Sequence, residues 1–277
     1  MKNVMKMDWS TIPDLQELFW WSSLFTDGDY KQALCLFHYT NASNLKKIIK
    51  KDCVDLRLTR ADVFEDFEEG KHITSVFRAA VNKCLINKQI DYDFSQVLLS
   101  TIDDFTPMCE ALRKSYVFCF SKQESNKYLI DNYACKNGNP GLIVGFQALT
   151  IEYLVGTRWC DEYPIHLLDV LYDTEKLSNN LQCLIAQAYQ LKAQDNAQLT
   201  LIKKIAINQL AAYSMIYKSP QYQRENETRL IVDFKKVDPQ SKAIFLDSNP
   251  KYIHILLKKT SLCNCQEVIS CQPTSHS

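Results

Sequence analysis

Apolar positions along this chain fall into two spacings, a helical one and a short run of strand length, and the switches between them predict most of its elements. Leu15, Leu18, Phe19, Trp21 and Leu24 repeat at helical spacing between Pro13 and Phe25, so a packing helix is expected there, opening at a proline and stopping near Asp27-Gly28. Ala33 to His38 is short and apolar and predicts a strand. Ser43 to Lys51, with Asn41 or Ser43 as its cap, predicts a helix, and Val54 to Leu58 a second strand. Residues 71–114 are mostly helical in pattern. Tyr116 to Ser121 predicts a strand, and Asn126 to Cys135 a helix broken by Asn137-Gly138-Asn139-Pro140-Gly141. Leu142 to Phe146 and Ile165 to Leu171 predict further strands, and Thr174 to Tyr217 a long helical region. Glu225 to Phe234 alternates strictly as a strand does, and two short strands are expected near Ala243 to Leu246 and Tyr252 to Leu256.

Helices and strands are thus mixed without the regular alternation of a doubly wound sheet, which predicts an α+β fold. Six glycines and eight prolines leave no flexible linker, and no internal repeat divides the chain. One domain over residues 1–277 is expected, with a helical extension at 1–30, helical insertions at 71–114 and 174–217, and a tail at 258–277.

Composition narrows the possible partners. With 46% hydrophobic and 11% aromatic residues among 277, the chain can bury a substantial core. Lys plus Arg and Asp plus Glu balance at 32 each, and Lys203-Lys204 and Lys258-Lys259 are too small for a basic stripe, so neither nucleic acid nor an anionic membrane is an expected partner. No run approaches the roughly 20 apolar residues of a membrane span, and Lys2, Lys6 and Asp8 interrupt the place of a signal peptide's apolar core. The expected location is the cytoplasm, or a host cytosol reached by a non-classical secretion route. Eleven cysteines without regular spacing predict free thiols. Cys263, Cys265, Cys271 and His276 gather in the tail, but their spacing matches no familiar zinc site, and no metal is expected.

The chain carries no Gly-rich dinucleotide fingerprint, Walker phosphate loop, HExxH helix or GxSxG elbow. Four polar signals remain, each at a predicted strand or its end. Phe37-His38-Tyr39-Thr40 closes the first strand with an imidazole and two hydroxyls, suited either to sugar hydroxyls or to a core histidine beside a helix cap. Tyr116 to Ser121 ends in a serine. Tyr133 lies on a helix preceding Gly141-Leu142-Ile143-Val144-Gly145-Phe146, where it fits ring stacking or plain core. In Glu225 to Phe234, Leu230, Val232 and Phe234 share one face and Glu225, Glu227 and Arg229 the other, at about 6 to 7 Å spacing; a surface ion-pair face has the same pattern.

In this order, across most of residues 34–234, the four signals resemble a widespread bacterial and phage family of formerly unknown function with the pattern HYT, an acidic turn NDPFE, FxFS, a helix ending in Tyr-Ala, GxxxGF and ExExR. Asp62, Phe64 and Glu65 match the acidic turn, while Ala61 and Val63 replace its Asn and Pro, and Ile130 stands where relatives often carry Trp. That family in turn looks like the ADP-ribosyltransferase fold.

The resemblance implies a split mixed β-sheet core with helical insertions, and a mono-ADP-ribosyltransferase that moves ADP-ribose from NAD to a protein side chain, as a bacterial effector or toxin would. It implies catalytic roles for His38, Glu225 and Glu227, with NAD held by His38, Tyr39, Thr40, Ser121 and Tyr133. Glu227 would stabilise an oxocarbenium-like ribose, and Glu225, preceding it in ExE, would orient an arginine acceptor. An NAD glycohydrolase using the same residues and a non-catalytic binding module on the same fold are the alternatives. Oligomeric state is left open.

Overall fold

A computed structural model describes residues 35–63, 67–103, 112–136, 140–147, 165–192, 199–233, 242, 244–258 and 265–271. The expected helix at Pro13 to Phe25, and Phe64 and Glu65 of the acidic turn, lie outside the described residues.

The strands are β1 (Cys35–Asn41), β2 (Cys53–Arg60), β3 (Ser115–Ser121), β4 (Gly141–Gln147), β5 (Ile165–Asp169), β6 (Glu227–Asp233), β7 (Ile244–Leu246), β8 (Tyr252–Lys258) and β9 (Cys265–Cys271). The helices are α1 (Ala42–Ile48), α2 (Phe67–Ile86), α3 (Tyr92–Asp103), α4 (Thr174–Lys192) and α5 (Leu199–Ile216). The α+β expectation holds, and the strands join one sheet in the order β7-β8-β2-β3-β1-β4-β9, with β6 on β3 and β5 on β6. Among the described residues the sheet is not mixed. Every pairing between these strands is antiparallel.

The sheet forks at β3. One edge of β3 pairs with β6 from Ser115 to Ser121. The other edge is shared, with β2 opposite Tyr116 and Val117 and β1 opposite Ser121, so β1 and β2 diverge over the residues between. Alternation then sorts the side chains into two cores. Val117, Ile231 and Leu168 turn toward the helical layer of α2, α3, α4 and α5, while Phe118, Phe120, Leu230, Val232 and Leu167 turn toward a core formed mainly by the strands, with Ile48 of α1.

Helix boundaries follow local chemistry. Asn41 caps α1, its side chain accepting from the Asn44 N–H at 3.0 Å. The expected insertion at 71–114 includes α2 and α3; α2 ends where Lys88 adopts φ 58° and the Gln89 N–H reaches back to the Cys84 carbonyl. Asp91 caps the second through the Phe94 N–H, and Asp173 caps α4 through those of Glu175 and Lys176.

Three expectations need correction. The first strand does not end at His38 but runs on to Asn41, because β4 pairs with it from Cys35 to Asn41. The helix expected over Asn126 to Cys135 is a single turn, Lys127–Leu129, followed by a π turn, Ile130–Ala134, closed by the Cys135 N–H on the Ile130 carbonyl five residues back. The tail at 258–277 contains β9, which pairs with β4. Cys265 and Cys271 stand at opposite ends of that strand, about 20 Å apart at strand rise, so they cannot share one metal ion. Cys263 and His276 lie outside the described residues.

Candidate active site

A cleft of about 510 Å³, part of it open to solvent, lies beside the fork. Its walls come from β1 (Phe37, His38 and Tyr39), the end of β3 (Cys119 and Ser121), the π turn (Tyr133), and the segment holding Lys218, Glu225 and Glu227. Residues distant in sequence therefore meet here: His38, Tyr39, Ser121, Tyr133, Glu225 and Glu227 all line it. Thr40 does not. It is buried in β1 opposite Leu142, and the expected helix cap is Asn41 instead.

His38 fills the divergence of β1 and β2. Its ring lies 4.4 Å from that of Phe118, and Nδ1 is 3.0 Å from the Cys119 carbonyl. A carbonyl only accepts, so Nδ1 carries the proton. Burial lowers the pKa of His38, against the opposing pull of that hydrogen bond. The ring is accordingly neutral near pH 7, and Nε2 is an acceptor.

Two of the expected hydroxyls serve the framework. Tyr39 donates to the Gln123 carbonyl (2.6 Å) and accepts from the Asn126 N–H (3.1 Å), fixing the loop that leads into the π turn. Ser121 donates to the Glu225 carbonyl (2.8 Å) and accepts from the Gln123 N–H (3.2 Å). Asn126 adds a bond to the Arg224 carbonyl, so the glutamate segment is stitched to the end of β3.

Glu225 is not on a strand. Pro220–Glu225 is a 3-10 helix, Asn226 adopts the left-handed conformation at φ 45°, and β6 begins at Glu227. Alternation alone is thus not what brings the two glutamates together; the turn at Asn226 directs both toward one ammonium. Lys218 Nζ lies 2.7 Å from Glu225 Oε2 and 2.9 Å from Glu227 Oε2. Arg229, next on the same face of β6, grips Glu227 with Nε on Oε1 (2.8 Å) and Nη2 on Oε2 (3.2 Å), and donates to the Met215 carbonyl through Nη1. Tyr133, 46% exposed at the mouth, donates to Glu225 Oε1 at 3.2 Å.

This is no surface ion-pair face. Lys218, Glu225, Glu227 and Arg229 are each at most 6% exposed, and their formal charges cancel. Burial pushes the Glu227 carboxyl up, but the Arg229 and Lys218 charges, with hydrogen bonds from Arg229 and Cys119, outweigh it and bring the pKa to about 2. Burial, and then the Glu227 charge, pushes the Cys119 thiol well above its usual range, so it stays protonated and donates to that carboxylate. Tyr172 is raised in the same way, by burial first and Glu227 next, and its hydroxyl accepts from the Glu227 N–H at 3.0 Å.

Lys218, Cys119 and Tyr172 escape the sequence reading because each resembles an ordinary residue of its element. Lys218 stands two residues beyond the end of α5 and carries no motif. What fixes it is a parallel bridge between Leu171 and Tyr217, with the Lys218 N–H on the Leu171 carbonyl at 3.0 Å. Among the described residues, no group of three or more His, Cys, Asp or Glu side chains is arranged to hold a metal ion, and no helix is long and apolar enough to cross a membrane. Comparison of the chain with protein-family models, with curated proteins and with solved structures gives no match.

Proposed function

We propose that the chain is a mono-ADP-ribosyltransferase that uses NAD as donor and a protein side chain as acceptor. The observation that carries this reading is the convergence of His38, Tyr133, Glu225 and Glu227 on one cleft.

The electrostatics suit the chemistry. Breaking the bond from nicotinamide to ribose builds positive charge on the sugar, and an ionised carboxylate stabilises that charge more than it stabilises bound NAD. Glu227, at a pKa of about 2, is ionised at every physiological pH. It works as a fixed negative charge and hydroxyl acceptor, not as a proton donor. His38 offers Nε2 to a sugar hydroxyl, with its tautomer fixed by Cys119. Tyr133 presents its ring at the mouth, and Glu225 behind it is placed to orient a cationic acceptor such as arginine. An exported effector or toxin is the setting in which such an activity fits a chain of this kind.

The test is labelling of cell lysates with NAD carrying an isotope on its adenylate, comparing wild type with Glu227→Gln. A discrete labelled protein band that disappears in the variant is expected. Nicotinamide release without any labelled protein would replace the reading with an NAD glycohydrolase. Neither label nor NAD loss, from folded protein in lysates of several sources, would replace it with a non-catalytic binding module.

A further inference from the structure

Two glutamates focused on one cleft need a reason to stay there. Like charges at close range repel, and a buried carboxylate without a partner takes up a proton or turns away. Arg229 contacts Glu227, and the ammonium of Lys218 contacts both Glu225 and Glu227, at 2.7 and 2.9 Å. The lysine is itself 3% exposed and its backbone is tied to Leu171. Among the described residues, the charged and titratable groups facing this point include Glu225, Glu227 and Arg229, with Tyr133 on the Glu225 carboxylate, Tyr172 on the Glu227 N–H and Cys119 on the Glu227 carboxylate. The Tyr222 ring lies 5.6 Å from Nζ.

We propose that Lys218 is a positioning residue, whose ammonium clamps Glu225 and Glu227 as a pair and so fixes the acceptor-facing carboxylate relative to the ribose-facing one. The catalytic consequence rests on the reading of the cleft as a transferase site; the clamp itself does not. A lysine suits the task because a compact ammonium has three donors that can diverge to two carboxylates, whereas the planar guanidinium fork favours one.

The experiment has two arms on wild type, Lys218→Met and Lys218→Arg. In the first, glutamate carboxyl carbons are isotopically labelled and Glu227 is titrated by NMR, which needs no substrate. Its pKa is expected to rise by about one unit or more in Lys218→Met, since an opposite charge at this range shifts a carboxyl by about one to three units, and to rise less in Lys218→Arg. In the second, label transfer is followed against pH. Lys218→Met is expected to lose about 100-fold in kcat, the scale of a misplaced catalytic group, with KM little changed and the acid limb moved upward, and Lys218→Arg to recover part of the loss. An unchanged Glu227 titration in folded Lys218→Met overturns the clamp. An inactive wild type whose carboxylate titration still shifts overturns the transferase reading and leaves the clamp standing. Should Lys218→Met fail to fold, the wild-type Lys218 ammonium decides. A slowly exchanging NH3 signal that changes in both Glu225→Gln and Glu227→Gln supports the clamp, and one indifferent to either overturns it.

Discussion

At the scale of single residues, the site is governed by which charges are buried together. Glu227 has its ordinary pKa of 4.5 brought to about 2 by Arg229 and Lys218, despite the opposing effect of burial. A carboxyl depressed on folding stabilises the native state fully above its unfolded value, and loses that contribution as pH falls toward the folded one. Stability is therefore expected to drop between about pH 4.5 and 2 by roughly 3 kcal/mol from this residue. His38 acts earlier. Its folded pKa lies below 6.5, so the unfolded chain binds the proton first and stability begins to fall as pH drops through 6.5. Urea unfolding at a series of pH values checks both: Glu227→Gln should flatten the lower part of the curve, and His38→Gln the part near 6.5. Asn226 is a separate case, because its φ of 45° is a conformation that asparagine and glycine tolerate and β-branched residues do not. Asn226→Gly should leave the denaturation midpoint nearly unchanged, whereas Asn226→Val should cost about 1–2 kcal/mol and separate the two glutamates.

Elements place these residues by contacts that short sequence windows do not reveal. The π turn that carries Tyr133 packs directly on the first residue of β4. A Cβ added to Gly141 would lie 2.4 Å from the Ala134 carbonyl carbon and 2.6 Å from its Cβ and oxygen. Backbone at that distance cannot yield as a flexible side chain would, so Gly141→Ala is expected to cost about 1–3 kcal/mol and to shift the turn. Thermal unfolding reads the first effect, and Tyr133 side-chain NMR reads the second. The same junction explains a difference from the sequence pattern. Tyr128 to Ala134 has the apolar spacing of an ordinary helix, but its closing bond spans five residues because the turn must clear β4.

For the whole molecule, the fork at β3 sets the arrangement. This strand is paired along its whole length on one edge and near both ends on the other, and is covered on both faces, by the helical layer through Val117 and by the strand core through Phe118 and Phe120. Local opening costs most where pairing and burial are both complete. Amide hydrogen exchange should thus be slowest in β3 and in β6 beside it, and faster in β7. Fast exchange throughout β3 would contradict the two-core arrangement. The helical segments expected as insertions form the layer against the sheet, and α5 delivers Lys218 to the cleft from its end.

Much of this was legible in the chain. Short apolar runs located β2, β3, β4 and β8 and strict alternation located β6, each to within a few residues, because a strand carries its burial pattern within its own few residues. The cap Asn41 marked a helix start because its side chain satisfies a local N–H group. His38, Ser121, Tyr133, Glu225 and Glu227 could be singled out as polar residues at strand-associated positions. Three kinds of fact could not be read in this way. The identity of β9 depended on the open edge of β4, which only pairing creates. The meeting of both glutamates depended on a left-handed Asn226 and a lysine turned toward them just beyond the end of α5. The fork, and with it the tautomer of His38, depended on two strands sharing one edge of a third. The sequence by itself determined what a residue's neighbours along the chain require, namely period, capping and turns. Tertiary structure alone decided which charges share a buried site, because that balance is set by groups brought together only when the chain has folded.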